Sequence, residues 1–271
     1  MMKILKRILG IGLALFVAAL FLFPLLWVVL ASFKTKLELL AVPPVFIFKP
    51  TLQNYINAFR SDFPMQVRNS LIIAASSTVI SIILGSLTAY GFSRYSIKSS
   101  DFLQFWILSL RMLPAIAVVV PFYLVFRALK LLDTHIALIL VYCLTNISFA
   151  VWVMKGFFDE IPLELEEAAM LDGYSPPQVF LRVALPLARA GLATTTIFCL
   201  IQSLNEFLLA VSLTTRVAET APVGLSKVQT LMGVDWGLLS AASVIFMIPI
   251  IIFTIIVRNE LVRGMSFGRM K

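Results

Sequence analysis

Six of the fourteen acidic residues of this 271-residue chain fall between Phe157 and Pro186: Asp159, Glu160, Glu164, Glu166, Glu167 and Asp172. Gathered carboxylates can do acid–base chemistry, hold a metal, or present a charged surface. Zinc binding and histidine-assisted catalysis would need companions that the sequence lacks. His135 is the only histidine, and Cys143 and Cys199 both sit in apolar runs with no C-x-x-C spacing. Zinc catalysis and histidine-activated nucleophiles are thereby excluded. No glycine is followed by lysine, so a phosphate-cradling P-loop is absent as well. Two readings of the acidic stretch compete: a solvated turn, or a surface shaped for a partner.

The rest of the chain is a poor setting for a water-facing fold. It is 60% hydrophobic and 13% charged, where soluble domains run near 45–50% and about 25%. Its natural solvent is a lipid bilayer. The net charge of +8 does not imply nucleic-acid binding, because the basic residues are scattered and no basic stripe with interleaved aromatics exists. In membrane proteins Lys and Arg collect beside anionic headgroups.

A helix needs about 20 apolar residues to cross roughly 30 Å of hydrocarbon. Charge-poor stretches of that length occur at about 8–31, 69–93, 102–126, 136–154, 190–215 and 236–257, with Arg111 in the third and Glu206 in the fifth. The expectation is an all-α membrane protein: one transmembrane domain over 1–271, six spans, and a loop at 157–186 between the fourth and fifth. Lys3, Lys6 and Arg7 precede the first span. Its apolar run exceeds the roughly 7–15 residues of a signal peptide, which predicts an uncleaved anchor.

Six spans put both termini on one side. With the termini in the cytoplasm, the inner segments carry twelve Lys and Arg against nine outside, a modest positive-inside bias. Outside, Thr51–Phe59 predicts a short amphipathic helix. Thr51 would cap it, and Leu52, Tyr55, Ile56 and Phe59 would share one face.

The acidic loop itself reads as two helices. Ile161–Pro162 starts the first, with acids where the helix dipole favours them. Glu160, Glu164, Glu167 and Leu171 share a face, and Ala168 and Ala169 are small enough to admit a neighbouring backbone. Gly173 ends the helix in a left-handed cap. Ser175 caps a second helix with Pro176 in its first turn, and Val179, Phe180, Val183 and Ala184 form its apolar side.

Glu167-Ala168-Ala169, three residues, Gly173, nine residues, then Val183-x-Leu185-Pro186 resembles the EAA signature of bacterial ABC-importer permeases, with Val183 where isoleucine is usual. FPLLWVVLASFK (23–34), NSLIIAASSTVISIILGSLTAYGFSRY (69–95), RMLPAIAVVVPFYLVFRALKLLDT (111–134), LNEFLLAVSLT (204–214) and DWGLLSAASVIFMIPI (235–250) are similar to the second, six-helix permease of carbohydrate importers of the maltose type. The resemblance implies that the loop docks in a cleft of a separate cytoplasmic ATPase. It carries the coupling role onto Glu167, Ala168, Ala169 and Gly173, with Asp172 beside them. ATP and magnesium would then belong to that partner and no cofactor to this chain.

The intramembrane polar residues have two readings each. An unpaired Arg111 about nine residues into a straight third span would cost at least about 2.5–3.5 kcal/mol. It therefore either lines a pathway or gate, or bonds carbonyls of a neighbouring helix. Pro114 and Pro121 can kink that span. On straight helices Glu206 would lie about 10 Å further along than Arg111, beyond a direct ion pair. Gln202, Asn205 and Glu206 share a helical face, and with Asn146 they either meet sugar hydroxyls or join spans.

The expected function is the permease subunit of an ATP-driven importer of a di- or oligosaccharide such as maltose or trehalose. Its implied partners are a second homologous permease, two ATP-binding-cassette ATPases, an extracytoplasmic solute-binding protein and membrane lipid, in a bacterial cytoplasmic membrane. A glycerol-phosphate or polyol importer is the alternative. A secondary transporter or channel would need intramembrane carboxylates and inverted repeats, and the spans hold one acid.

Overall fold

The computed structural model describes the backbone of residues 2–230 and 233–266 and the side chains of 9–228 and 233–256. The terminal basic residues that set the expected orientation, Lys3, Lys6, Arg7, Arg258, Arg263, Arg269 and Lys271, have side chains outside that set.

In chain order the helices begin with α1 (Met2–Ser32), α2 (Lys36–Leu40), α3 (Gln53–Arg60) and α4 (Phe63–Arg94). Next come α5 (Ser100–Ser109), a 3-10 turn at Leu110–Met112, α6 (Ala115–Ala128) and α7 (His135–Asp159). The acidic loop holds α8 (Leu163–Leu171), α9 (Pro176–Val179), a π turn at Phe180–Ala184 and α10 (Leu185–Leu187). After it follow α11 (Arg189–Asn205), α12 (Leu208–Leu213), α13 (Ala221–Ser226), the hairpin strands β1 (Gln229–Thr230) and β2 (Gly233–Val234), and α14 (Trp236–Ser266).

Among the described residues four helices are long and apolar enough to cross a membrane: Leu9–Ser32, Phe63–Arg94, His135–Asp159 and Trp236–Ile256. The third and fifth expected spans are not continuous. Ser100–Met112 meets Ala115–Ala128 at 93° within the third, while the fifth is interrupted at Glu206. A second bent pair, Pro176–Leu187 and Arg189–Asn205 at 79°, turns at Ala188, ahead of the fifth expected span. By length and composition the described residues therefore hold four candidate spans, or up to six if each bent pair counts as one.

Proline chemistry explains the first break. Pro114 disfavours the helical region for the residue before it, and Leu113 is extended at φ −66, ψ 124. The span expected over 102–126, with kinks possible at Pro114 and Pro121, is broken at the first of these prolines, and the depth assigned to Arg111 along it is corrected accordingly. Pro121 stays inside α6. The expected helix over 190–215 also stops, because Glu206 is extended at φ −70, ψ 124. Helix resumes at Leu208.

The chain divides into two compact units, residues 1–65 with 224–249, and 66–223 with 250–271. In the first, Asn54 Nδ2 donates to the carbonyls of Ser32 (2.9 Å) and Lys34 (2.8 Å), tying α3 to the end of α1. Any side chain at Gly237 would meet Asn54. Lys34 is buried: Nζ donates to Val45 O at 2.6 Å and lies over the Trp27 and Phe48 rings. The expected outer helix starts at Gln53, with Leu52 preceding it, and the Thr51 hydroxyl accepts the Gln53 N–H at 3.2 Å, as the expected cap would. Leu52, Ile56 and Phe59 are exposed, whereas Tyr55 bonds Ser32.

In the second unit α4 and α7 pack closely enough that a Cβ at Gly85 would collide with Ala150. Ile73, Phe126, Leu138, Val141, Leu209 and Leu213 form one core cluster. Tyr90, Met154, Phe158, Phe180 and Ala184 form a second at the loop end of the same helices. At the opposite ends of α6 and α7, Asp133 clamps the segment after α12. Its carboxylate accepts the backbone N–H groups of Thr215, Arg216, Val217 and Ala218 at 3.0–3.2 Å. Partial burial opposes ionisation, but those four amides outweigh it and hold the carboxyl well below the usual carboxylate range.

Candidate functional site: a polar cavity and a two-helix projection

The breaks at Leu113 and Glu206 lie on one cavity. Arg111 on the 3-10 turn, Tyr142, Thr145 and Asn146 on α7, and Gln202, Ser203 and Glu206 at the end of α11 line a cavity of about 240 Å³. It is small beside the roughly 300–1,000 Å³ of drug-sized ligand pockets. Its polar lining, inside such an apolar chain, suits a hydroxyl-rich solute.

The geometry gives each lining residue a definite state. The Arg111 guanidinium lies 4.4 Å from the Phe149 ring centroid and donates to Gln202 Oε1 at 3.4 Å. Neither ion pair among the described residues includes it. Arg111 is exposed in the isolated chain, with a hydrogen-bonding fork available to solute. Asn146 is 1% exposed. Its Nδ2 donates to Ser203 Oγ at 2.8 Å, while its Oδ1 is buried without a partner. Ser203 Oγ in turn lies 3.3 Å from Ser77 Oγ, so three helices meet on one hydroxyl.

Glu206 does not pair with Arg111, although the kinked helices bring both to one cavity, which the straight-helix separation did not anticipate. Its carboxylate accepts the amides of Leu209 at 3.1 Å and Ala210 at 3.2 Å. It thus caps the start of α12, where exposed N–H groups and the helix dipole favour an anion. The Tyr142 hydroxyl donates to the same carboxylate at 3.4 Å. Asn205 donates to its own helix at Ile201 O and does not line the cavity. The shared face expected for Gln202, Asn205 and Glu206 is lost because the helix ends at Asn205.

Sequence reasoning passed over Tyr142, Thr145 and Ser203. The spacing Tyr142, Thr145, Asn146 is i, i+3, i+4, which puts three polar groups on one face of α7. That signal was available.

The acidic loop forms two helices joined at a glycine. Gly173 has φ +90, Tyr174 N donates to Ala169 O at 3.1 Å, and Gly173 N donates to Met170 O at 3.0 Å. These are the two bonds of a Schellman cap. Ser175 N then donates to Gln178 Oε1 at 2.8 Å to open α9. Glu167, Ala168, Asp172 and Gly173 are exposed, Ala169 is buried, and Leu171 is 90% exposed. The acid that turns inward is Glu166, the residue before the EAA triplet: Arg94 Nε and the Tyr90 hydroxyl both bond it.

Comparison with known proteins fits this architecture. Residues 81–266 match the family model for the binding-protein-dependent transport system inner membrane component. The probable ABC transporter permease y4oR of Sinorhizobium fredii is 38% identical, over 94% of this chain and 92% of that protein. The trehalose/maltose transport system permease MalG of Thermococcus litoralis is 34% identical, over 99% and 98%. A solved bacterial ABC transporter involved in alginate import has a chain of the same fold, with TM-score 0.79 at 24% identity, covering 96% of this chain and 97% of that one. With candidate spans along its length and a family match over most of it, the chain belongs to the inner-membrane permeases of binding-protein-dependent ABC transport systems, multi-pass transport subunits rather than enzymes.

Proposed function

We propose that this permease imports a carbohydrate by alternating access, driven by ATP hydrolysis on separate subunits. The observation that carries this reading is the cavity of Arg111, Asn146 and Gln202, a cluster of hydrogen-bonding groups beside the breaks at Leu113 and Glu206. A relative 34% identical over 99% of the chain is named for trehalose and maltose transport, so a disaccharide of that type is the first candidate solute. In this reading the broken spans complete a six-span bundle with both termini in the cytoplasm of a bacterial cell.

The α8–α9 projection is the coupling loop. Glu167, Ala168, Ala169, Asp172 and Gly173 form or shape the surface that meets an ATPase, which binds ATP and magnesium. A second homologous permease completes the pathway, two ATPases sit beneath the pair, and an external binding protein delivers solute. Arg111 also supports a second reading, an anionic solute such as a glycerol phosphate, because its charge has no carboxylate partner among the described residues. Uptake of labelled trehalose, maltose and glycerol 3-phosphate by proteoliposomes of the full complex tests both. Saturable uptake of a sugar that needs ATP supports the first reading; preference for the phosphate supports the second.

A further inference from the structure

Two faces of α8 have different fates. Glu167, Ala168 and Leu171 are exposed, whereas Glu166 is 1% exposed and has both carboxylate oxygens engaged. Arg94 Nε donates to Glu166 Oε1 at 2.9 Å, and the Tyr90 hydroxyl donates to Oε2 at 2.6 Å. Both partners belong to the end of α4. Arg94 does more: its Nη2 donates to the carbonyls of Phe158 (2.8 Å) and Ile161 (3.0 Å), where α7 ends and the link to α8 begins. Ser93 accepts from Arg94 Nη1 and donates to Asp159 Oδ1 at 2.6 Å. One guanidinium therefore bonds α4, α7, the α7–α8 link and α8 at once. Both ion pairs among the described residues, Arg94–Glu166 and Lys155–Asp159, lie in this one network.

Stability alone does not account for a buried ion pair here, since apolar residues of similar volume commonly serve as well or better. Its value is geometric. The planar arginine fork bonds several acceptors in fixed directions, which a lysine ammonium cannot reproduce. Beneath it Tyr90, Phe158 and Phe180 pack edge-on or tilted with centroids 4.9–6.2 Å apart, so the polar contacts rest on a packed floor.

We propose that Glu166 and Arg94 form a strut that makes α8 and the adjoining ends of α4 and α7 one rigid body. A push on the exposed face of α8 is then passed directly to two long spans, not absorbed by the short links on either side. Glu166 and Arg94 are positioning residues for transport. The inference rests on the reading above that an ATPase docks on α8.

The test uses the complete complex in lipid nanodiscs with spin labels at Leu163→Cys, on the flank of α8 outside the face of Glu167, Ala168 and Leu171, and Trp152→Cys on α7, both exposed positions. The label distance is measured without nucleotide and with Mg-ATP and vanadate. With the native strut it stays single and unchanged between the two states. In Glu166→Gln and Arg94→Met it shifts or splits on nucleotide addition, while the ATPase still copurifies and still hydrolyses ATP. Arg94→Lys keeps the charge but not the fork and gives an intermediate distribution. The strut is overturned if the variants keep the native distance in both states, or if the native strut already lets it shift. Loss of the ATPase from Glu166→Gln complexes overturns it too, by making the network a folding element of the docking surface. If the complex with native strut hydrolyses no ATP, the coupling reading itself falls.

Discussion

Asn146 Nδ2 donates to Ser203 Oγ at 2.8 Å while Asn146 Oδ1 remains buried and unbonded beside the cavity. In the proposed pathway this amide has two jobs: its nitrogen joins α7 to α11, and its oxygen, buried and unbonded in this conformation, accepts from solute when the cavity opens. Ser203→Ala removes only the first, and such interhelical bonds are worth about 0.6–2 kcal/mol. We expect it to lower thermal stability in detergent by that amount with KM for uptake nearly unchanged. Asn146→Leu removes both and raises KM as well. Equal KM effects in the two variants would contradict this division.

Glu206 is predicted to act as a helix cap and not as a counter-ion. Glu206→Gln keeps an acceptor for the Leu209 and Ala210 amides and is tolerated. Glu206→Leu loses the cap, at about 1 kcal/mol, and speeds hydrogen exchange at those two amides. An unchanged exchange rate in Glu206→Leu would count against the cap.

Gly173 stands at φ +90 with open space around it. The demand there is on the backbone and not on volume, so small and large side chains are strained alike. Gly173→Val and Gly173→Ala should both weaken copurification of the ATPase while membrane insertion persists. Gly173→Asn, better tolerated in left-handed conformations, should lose less. An order set by side-chain size would indicate a steric contact instead.

Asp133 gives a pH dependence with a definite sign. Its carboxyl is held below the ordinary carboxylate value of about 3.9, so the clamp on residues 215–218 is fully formed above that pH. It is lost only as the pH falls further, towards its lowered value. Between pH 5 and 8 it contributes a constant amount. Protease nicking within 215–218 should be flat over that range and rise below about pH 4. Asp133→Asn, which can keep the positive φ of 57°, should be nicked faster at neutral pH and lose the acid-side rise.

The long spans and the acidic loop were legible because their signals are local. Apolar runs between charges located α4 and α7 to within a few residues, and Gly173, Ser175 and Pro176 marked the turn of the projection. What could not be read were choices made by tertiary contact. Glu164, Glu166 and Glu167 are alike in sequence, and only the position of Arg94 at the end of α4 makes Glu166 the buried one. The stop at Asn205 has no proline or glycine to announce it. It follows from Glu206 turning to cap α12, which straight-helix counting cannot foresee. Pro114 did announce a break, but a 93° turn exceeds an ordinary proline kink.

The most direct test of the account is uptake by proteoliposomes holding both permeases, the two ATPases and the external binding protein. The account predicts saturable accumulation of trehalose or maltose that needs ATP on the ATPase side and the binding protein on the other. It predicts that Arg111→Ala raises KM or abolishes uptake. Accumulation of the same solute by the permease chains alone, driven by a sodium or proton gradient without the ATPases, would contradict it.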